Sequence, residues 1–150
     1  MIFDRTKSDV DMAIKIREEK VKNFIPLTNE ELNILERGMV TNSTLNRIEA
    51  QHRQLKTKLN SMGYWNTPIL TETWDTSKIF RERDFMMMVQ DTMILRNAFL
   101  AFDDTPKSVN LSYSYQNWNN MERILHDLGL MVNIVKRNYL QCGDAYCGGN

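Results

Sequence analysis

Two stretches of this chain carry apolar residues in a 3-4-3-4 spacing, which a helix gathers onto one face. In the first, Leu45, Ile48, His52, Leu55, Leu59 and Met62 form a seam. In the second, Trp118, Met121, Leu125, Leu128, Val132 and Val135 do the same, with Tyr139 four residues beyond. A helix with one apolar stripe must bury it against another element, so the chain is expected to fold as a helical bundle around these two seams. The seams coincide at an offset of 73 residues, and identities ride on that offset: Asn46 with Asn119, Glu49 with Glu122, Leu55 with Leu128. Each seam follows a turn-rich stretch and precedes an extended aromatic one. The sequence therefore reads as a single domain, 1–150, with a weak pseudo-twofold repeat, 1–75 and 76–150, each half a helical hairpin plus an extended tail.

Pro26, Pro68 and Pro106 fall between the periodic blocks, where a missing N–H and a fixed φ are tolerated. A first helix is expected to start at Thr6 or Ser8, with Asp9 and Asp11 in its first turn and an apolar stripe of Val10, Ala13, Ile14, Val21 and Phe24. Thr28-Asn29-Glu30-Glu31 is a capping-box pattern opening a short helix with Leu32 and Leu35 that Gly38 can stop. The block from Phe85 to Phe102 is apolar nearly all round, the mark of a central helix, and Trp74 to Phe80 reads either as its first turns or as a strand leading in. The β-branched segment Tyr64 to Trp74, and a hairpin of Tyr139 to Cys142 and Ala145 to Cys147 about a Gly143-Asp144 turn, predict a small β extension. The fold class expected is mainly α, a bundle of about five helices with that extension.

Lys plus Arg and Asp plus Glu both number 19, and the two halves divided after Asp75 balance as well. No global field draws in a polyanion, so neither nucleic acid nor an anionic membrane is expected as partner. Apolar runs such as Phe85 to Val89, five residues and unexceeded in the chain, are far too short to span a bilayer, and the opening MIFDRTKSDVD is polar; a chain made and kept in the cytosol is expected.

Residues with catalytic or ligating chemistry are sparse. His52 lies in a seam with no Cys, Asp or Glu at ligand spacing on that face and reads as a partly buried or boundary histidine. His126 and Asp127 are helix neighbours whose side chains point about 100° apart, so no orienting pair is expected. Phosphate loops, nucleophile elbows and zinc-binding His pairs are absent. Cys142 and Cys147 lack a second ligand pair and read as free thiols. The expectation is no enzyme, no cofactor and no metal. The ten methionines read as core filling, with an adaptable groove as the alternative. Ser112 to Trp118 has the Tyr/Ser/Asn character of a recognition loop, or else serves to staple and cap the last helix. Aromatic residues concentrate beside chain breaks and at the C-terminus. Trp65, Trp74, Tyr113, Tyr115, Tyr139 and Tyr146 are therefore the candidate partner-binding residues.

Several short motifs carry a resemblance: Asp4-Arg5-Thr6-Lys7-Ser8-Asp9-Val10-Asp11; Leu45-Asn46-Arg47-Ile48-Glu49; Tyr113-Ser114-Tyr115 with Trp118-Asn119-Asn120-Met121-Glu122-Arg123-Ile124-Leu125; and Cys142-Gly143-Asp144-Ala145-Tyr146-Cys147-Gly148. They resemble small helical modules of phages and prophages of Gram-positive bacteria, found in tail or baseplate-associated structural proteins. The chain departs from that pattern at Met39-Val40-Thr41-Asn42, where the family has an aromatic-rich approach to the helix, and it ends at Asn150, where many relatives continue into an adhesin or fibronectin-like domain. The resemblance implies a virion component assembled in the host cytoplasm, a connector or accessory subunit that contacts other tail or baseplate proteins and forms a homo-oligomer. Two other readings stand beside it. One is a carbohydrate-binding module with Trp65, Trp74, Tyr113 and Tyr115 as an aromatic platform; the other is a small regulatory protein acting on a host factor.

Overall fold

The structure, a computed structural model, describes residues 4–64 and 72–146, with side chains to residue 138. Five helices follow in order: α1 (Lys7–Ile16), prolonged by a π-turn (Arg17–Val21), then α2 (Asn29–Gly38), α3 (Asn42–Ser61), α4 (Glu82–Ala98) and α5 (Tyr115–Tyr146). Their starts follow from side chains that satisfy orphan backbone donors. Thr6, rather than Ser8, caps α1: its Oγ1 accepts from Asp9 N while Asp9 Oδ2 accepts from Thr6 N at 2.7 Å. The expected box of Thr28 and Glu31 opens α2. Thr41 caps α3, and Ser114 Oγ accepts from Asn117 N to cap α5.

The two seams meet in one core. Leu45, Ile48, Leu55 and Leu59 of α3 join Trp118, Met121, Leu125, Leu128 and Val132 of α5, and α4 adds Phe85, Met88, Val89 and Leu95. These three helices pack on one another, while α1 and α2 pair as a separate hairpin against them. Helix α4 is one of three walls rather than the centre. Its buried stripe includes Asp91 and Thr92, and Met86 is 43% exposed on its outer side. Of the methionines in this helix, Met88 is buried in the core and Met93 packs against it.

In the hairpin, only Ala13 of the expected apolar stripe is fully buried; Ile14 and Val21 are close to half exposed. Gly38 does more than stop α2. A Cβ there would lie 2.2 Å from the Asp9 carbonyl oxygen and 2.4 Å from Ala13 Cβ, so the absence of a side chain lets the two helices touch. At the other end of the hairpin, Ile25 N donates to Lys20 O at 2.9 Å and Phe24 N to Val21 O at 3.2 Å. This is the Schellman arrangement, and it puts Phe24 at the position that glycine normally fills, with φ at +56°.

The expected β extension differs from what is observed. Among the described residues there is no strand. The backbone through Gly143-Asp144 continues as α5 to Tyr146, so a hairpin does not form there; Cys147 lies outside the described residues. An established helix passes a glycine at a cost of about 1 kcal/mol, whereas an isolated two-stranded hairpin is marginal in water. Of the Tyr64 to Trp74 segment, residues 65–71 lie outside the described residues, and 72–74 are not in a strand. Trp74 to Phe80 is neither strand nor helix start: α4 begins at Glu82, where Asp84 Oδ2 accepts from Arg81 N at 2.8 Å.

Candidate functional site

The residues that coincide at the 73-residue offset do matching work. Asn46, on α3, grips the backbone of Trp74 on both sides: its Nδ2 donates to Trp74 O and its Oδ1 accepts from Trp74 N, each at 2.7 Å. Asn119, on α5, grips Arg5 the same way, donating to Arg5 O at 2.8 Å and accepting from Arg5 N at 3.2 Å. One turn further on, each helix places a carboxylate under the gripped residue's side chain. Glu49 Oε1 accepts from Trp74 Nε1 at 3.5 Å, and Glu122 Oε1 from Arg5 Nη2 at 2.7 Å. The i, i+3 spacing of Asn and Glu on one helix face makes this possible. Trp74 lies before α4 and Arg5 before α1, so α3 holds the approach to α4 and α5 the approach to α1.

The Glu122 carboxylate is fully buried and shared between two guanidinium groups, Arg5 at 2.7 Å and Arg47 at 3.1 Å. Arg47 reaches on to Glu36 of α2 at 3.3 Å, and Ser43 Oγ donates to the same Glu36 oxygen at 2.7 Å. Alternating charge along Arg5, Glu122, Arg47 and Glu36 fastens the hairpin to the three-helix core. Arg37 pairs within the hairpin with Asp9; hydrogen bonds from Thr6 and then from Arg37 hold the Asp9 carboxyl below the usual carboxylate range.

Between the base of the hairpin and the core lies an open cleft of about 180 Å³, lined by Val10, Gly38, Met39, Val40, Tyr113, Tyr115 and Trp118 together with the polar Arg5 and Ser114. Tyr113 is 53% exposed yet fixed, because its ring stacks on Phe85 at 4.6 Å and meets Phe80 edge-on at 6.2 Å. Burial, with the negative charges of Glu82 and Asp84 nearby, raises the pKa of its phenol. The loop before α5 is closed by Asn117, whose Nδ2 donates to Ser112 O and Oγ and whose Oδ1 accepts from Asn110 N. Ser112 to Trp118 thus caps a helix and lines a cleft at once.

A second polar group is enclosed in the core. His52 is fully buried rather than partly buried or at a boundary, with Nε2 2.8 Å from Thr92 Oγ1; Thr92 in turn donates to Met88 O. Contrary to the sequence expectation, a carboxylate does share its face: Glu49 Oε2 lies 3.9 Å from His52 Nδ1, and neither of these two atoms meets a hydrogen-bond partner among the described residues. Burial pushes the Asp91 carboxyl up to about 6; the charge of His52 opposes that shift, Glu49 adds to it and Lys56 opposes it. The cavity beside Glu49 measures about 10 Å³, scarcely room for one water. His126 and Asp127 also differ from expectation, with Nδ1 and Oδ1 at 3.2 Å, although Asp127 is engaged by Thr105 Oγ1 at 2.8 Å as well.

The structure separates the six aromatic residues that the sequence nominates. Tyr113 and Tyr115 come together at the cleft. Trp74 is withdrawn into the core, 6% exposed and edge-on to Phe80 at 5.2 Å, so it cannot join a surface platform. Trp65 lies outside the described residues; Tyr139 and Tyr146 fall on the last turns of α5, where the side chains are not described. Sequence reasoning missed Phe24 as a surface residue. Its signal was Asn23 and Pro26 on either side, the composition of a helix stop. Among the described residues no group of three or more His, Cys, Asp or Glu side chains is placed to hold a metal ion, and no helix is long and apolar enough to cross a membrane. Comparison of the chain with protein-family models, with curated proteins and with solved structures finds no match.

Proposed function

We propose that this protein is a non-enzymatic assembly subunit that works by docking rigid apolar surfaces, and that its setting is a phage tail or baseplate. The observation that carries the assembly reading is the cleft between hairpin and core. Tyr113 and Tyr115 stand at it on a capped, hydrogen-bonded loop, so partner contact there orders little that is not already ordered. At about 180 Å³ the cleft is smaller than the 300–1,000 Å³ of typical small-molecule sites and suits a protein side chain better than a substrate. The virion setting, contact with other tail proteins and assembly in the host cytoplasm rest on the sequence motifs that resemble phage tail modules. A homo-oligomer accords with the net charge of zero, which leaves copies without mutual repulsion.

The test is mass spectrometry of phage particles released by the producing strain, with Tyr113→Ala and Tyr115→Ala variants expressed in place of the wild type. Recovery of the wild-type chain at fixed stoichiometry, and its depletion in the variants, is the expected result. Absence from particles, with the chain free in infected cells, would overturn the virion setting and favour a regulatory role on a host factor.

A further inference from the structure

We infer that this chain binds a second copy of itself head to tail, the Phe24 side chain of one copy seating in the cleft formed by Val10, Met39, Val40, Tyr113, Tyr115 and Trp118 of the next. The inference rests on the assembly reading and names the partner at that same site.

Phe24 is 95% exposed, more than any other large apolar side chain among the described residues. It is also held there. The Schellman bonds of Phe24 and Ile25, the Asn23 amide donating to Glu19 O at 2.9 Å, and the Lys20–Glu31 ion pair at 2.6 Å fix the turn that presents it. A phenylalanine at a φ of +56° is a backbone outlier in a place where glycine would be unstrained, and such outliers collect where the displayed side chain has work to do. Val21 and Ile25 beside it are 42% and 47% exposed, giving the knob an apolar collar.

The cleft has the complementary character. Its walls are mostly apolar and aromatic, with Arg5 and Ser114 as the polar side chains among them; an enclosed cavity of about 150 Å³ holds benzene, and this open cleft offers about 180 Å³. Phe24 cannot fill the cleft of its own chain. Val10, Gly38 and Met39 line it at the base of the α1–α2 hairpin, Phe24 is at the tip, and the helical run from Val10 to Val21 puts roughly 16 Å between them at about 1.5 Å per residue. Charge opposes the contact at neither end. At the tip Lys22 pairs with Glu18 and Lys20 with Glu31; beside the cleft Arg37 pairs with Asp4 and Asp9, and Arg5 with Glu122. A knob and a hole on different surfaces of one chain make a heterologous contact, which closes into a ring or continues as a filament.

Sedimentation of the purified protein tests this. The wild type is expected to gain mass with concentration, while Phe24→Gly and Val40→Arg each remain single chains of 17.7 kDa. Phe24→Gly keeps the turn, since glycine suits that backbone and the lost side chain is solvent-exposed. Mixed together, the two variants are expected to form a one-to-one pair and nothing larger, because one retains the hole and the other the knob. Ile79→Ser, which removes a 76% exposed side chain not among those lining the cleft, is expected to assemble like the wild type. A wild type that stays a single chain, a Phe24→Gly protein that still assembles, or variants that fail to pair would overturn the inference. Those results concern the isolated chain alone, so they are read separately from its presence in particles.

Discussion

At Phe24 the backbone sits at a φ of +56° with no side-chain burial to set against the strain. A left-handed conformation costs an L-residue roughly 1–2 kcal/mol, and the greater freedom of glycine in the unfolded chain returns about 0.5–1 of that. Phe24→Gly is therefore expected to hold stability or raise it by up to about 1 kcal/mol, read as an unchanged or slightly higher midpoint in urea denaturation of dilute, unassociated protein. A large fall would mean that Phe24 packs within its own chain. Gly38 is the opposite case. The atoms in the way of a methyl group there are a backbone carbonyl and the Cβ of Ala13, neither of which can swing aside. Gly38→Ala is expected to push the hairpin helices apart at a cost of about 1–3 kcal/mol, visible as a lower urea midpoint. Leu32→Ala, whose side chain on the same hairpin is 49% exposed, should leave the midpoint within about 0.5 kcal/mol of the wild type.

The hairpin joins the three-helix core through a few polar contacts rather than through a shared apolar core, for only Ala13 of its residues is a buried apolar one. Removing one end of that connection should release the element without unfolding the rest. Asn119→Ala deletes both hydrogen bonds to the Arg5 backbone, about 1 kcal/mol each, and leaves two backbone groups to find water. Amides of α1 and α2 are then expected to exchange faster by roughly tenfold or more while those of α3 and α5 keep their protection. Asn46→Ala should instead loosen the approach to α4. Uniform acceleration across all five helices in either variant would show that the hairpin and the core unfold as one. This division was partly legible in the sequence. The 3-4-3-4 seams of α3 and α5 bury where they were expected to, because periodicity reports directly on which face leaves water. The shared Asn and Glu were visible as identities, but their task was not: a bidentate grip on a backbone 28 or 114 residues away along the chain leaves no local pattern. Trp74 misled for a related reason, since an aromatic beside a chain break looks alike whether it anchors a partner or its own core. The cleft was half legible, in Tyr113 and Tyr115; its other wall is set by the touching of Gly38 and Ala13 across two helices, which spacing within one helix cannot reveal.

For the molecule as a whole, zero net charge leaves little collective electrostatic pressure on the fold, so pH dependence falls to individual groups. Two sets oppose each other. Asp9, Glu31 and Asp75 have carboxyls held below their usual range by hydrogen bonds, so their contribution is present above about pH 4 and is lost as the solution is acidified further. Asp91 runs the other way. Its carboxyl is raised from 3.8 to about 6 in the fold, so the folded state binds a proton more readily than the unfolded one between those values. Its contribution is present in full below about pH 4 and is lost as pH rises through about 6. Stability is then greatest between about pH 4 and 6 rather than at neutrality. The shift corresponds to about 2–3 kcal/mol of penalty for an ionised Asp91 at pH 7.5, on a residue that keeps only 9% of its surface and lies among Glu49, His52 and Lys56. Asp91→Asn removes the charge and keeps the shape. The variant is expected to match the wild type at pH 4 and to exceed it progressively above pH 5, by up to about 2 kcal/mol at pH 7.5, measured as urea midpoints across the range. A difference that stays constant with pH would show that Asp91 acts through its hydrogen-bonding shape and not through its charge, and would remove the buried carboxylate as the source of the acid-side optimum.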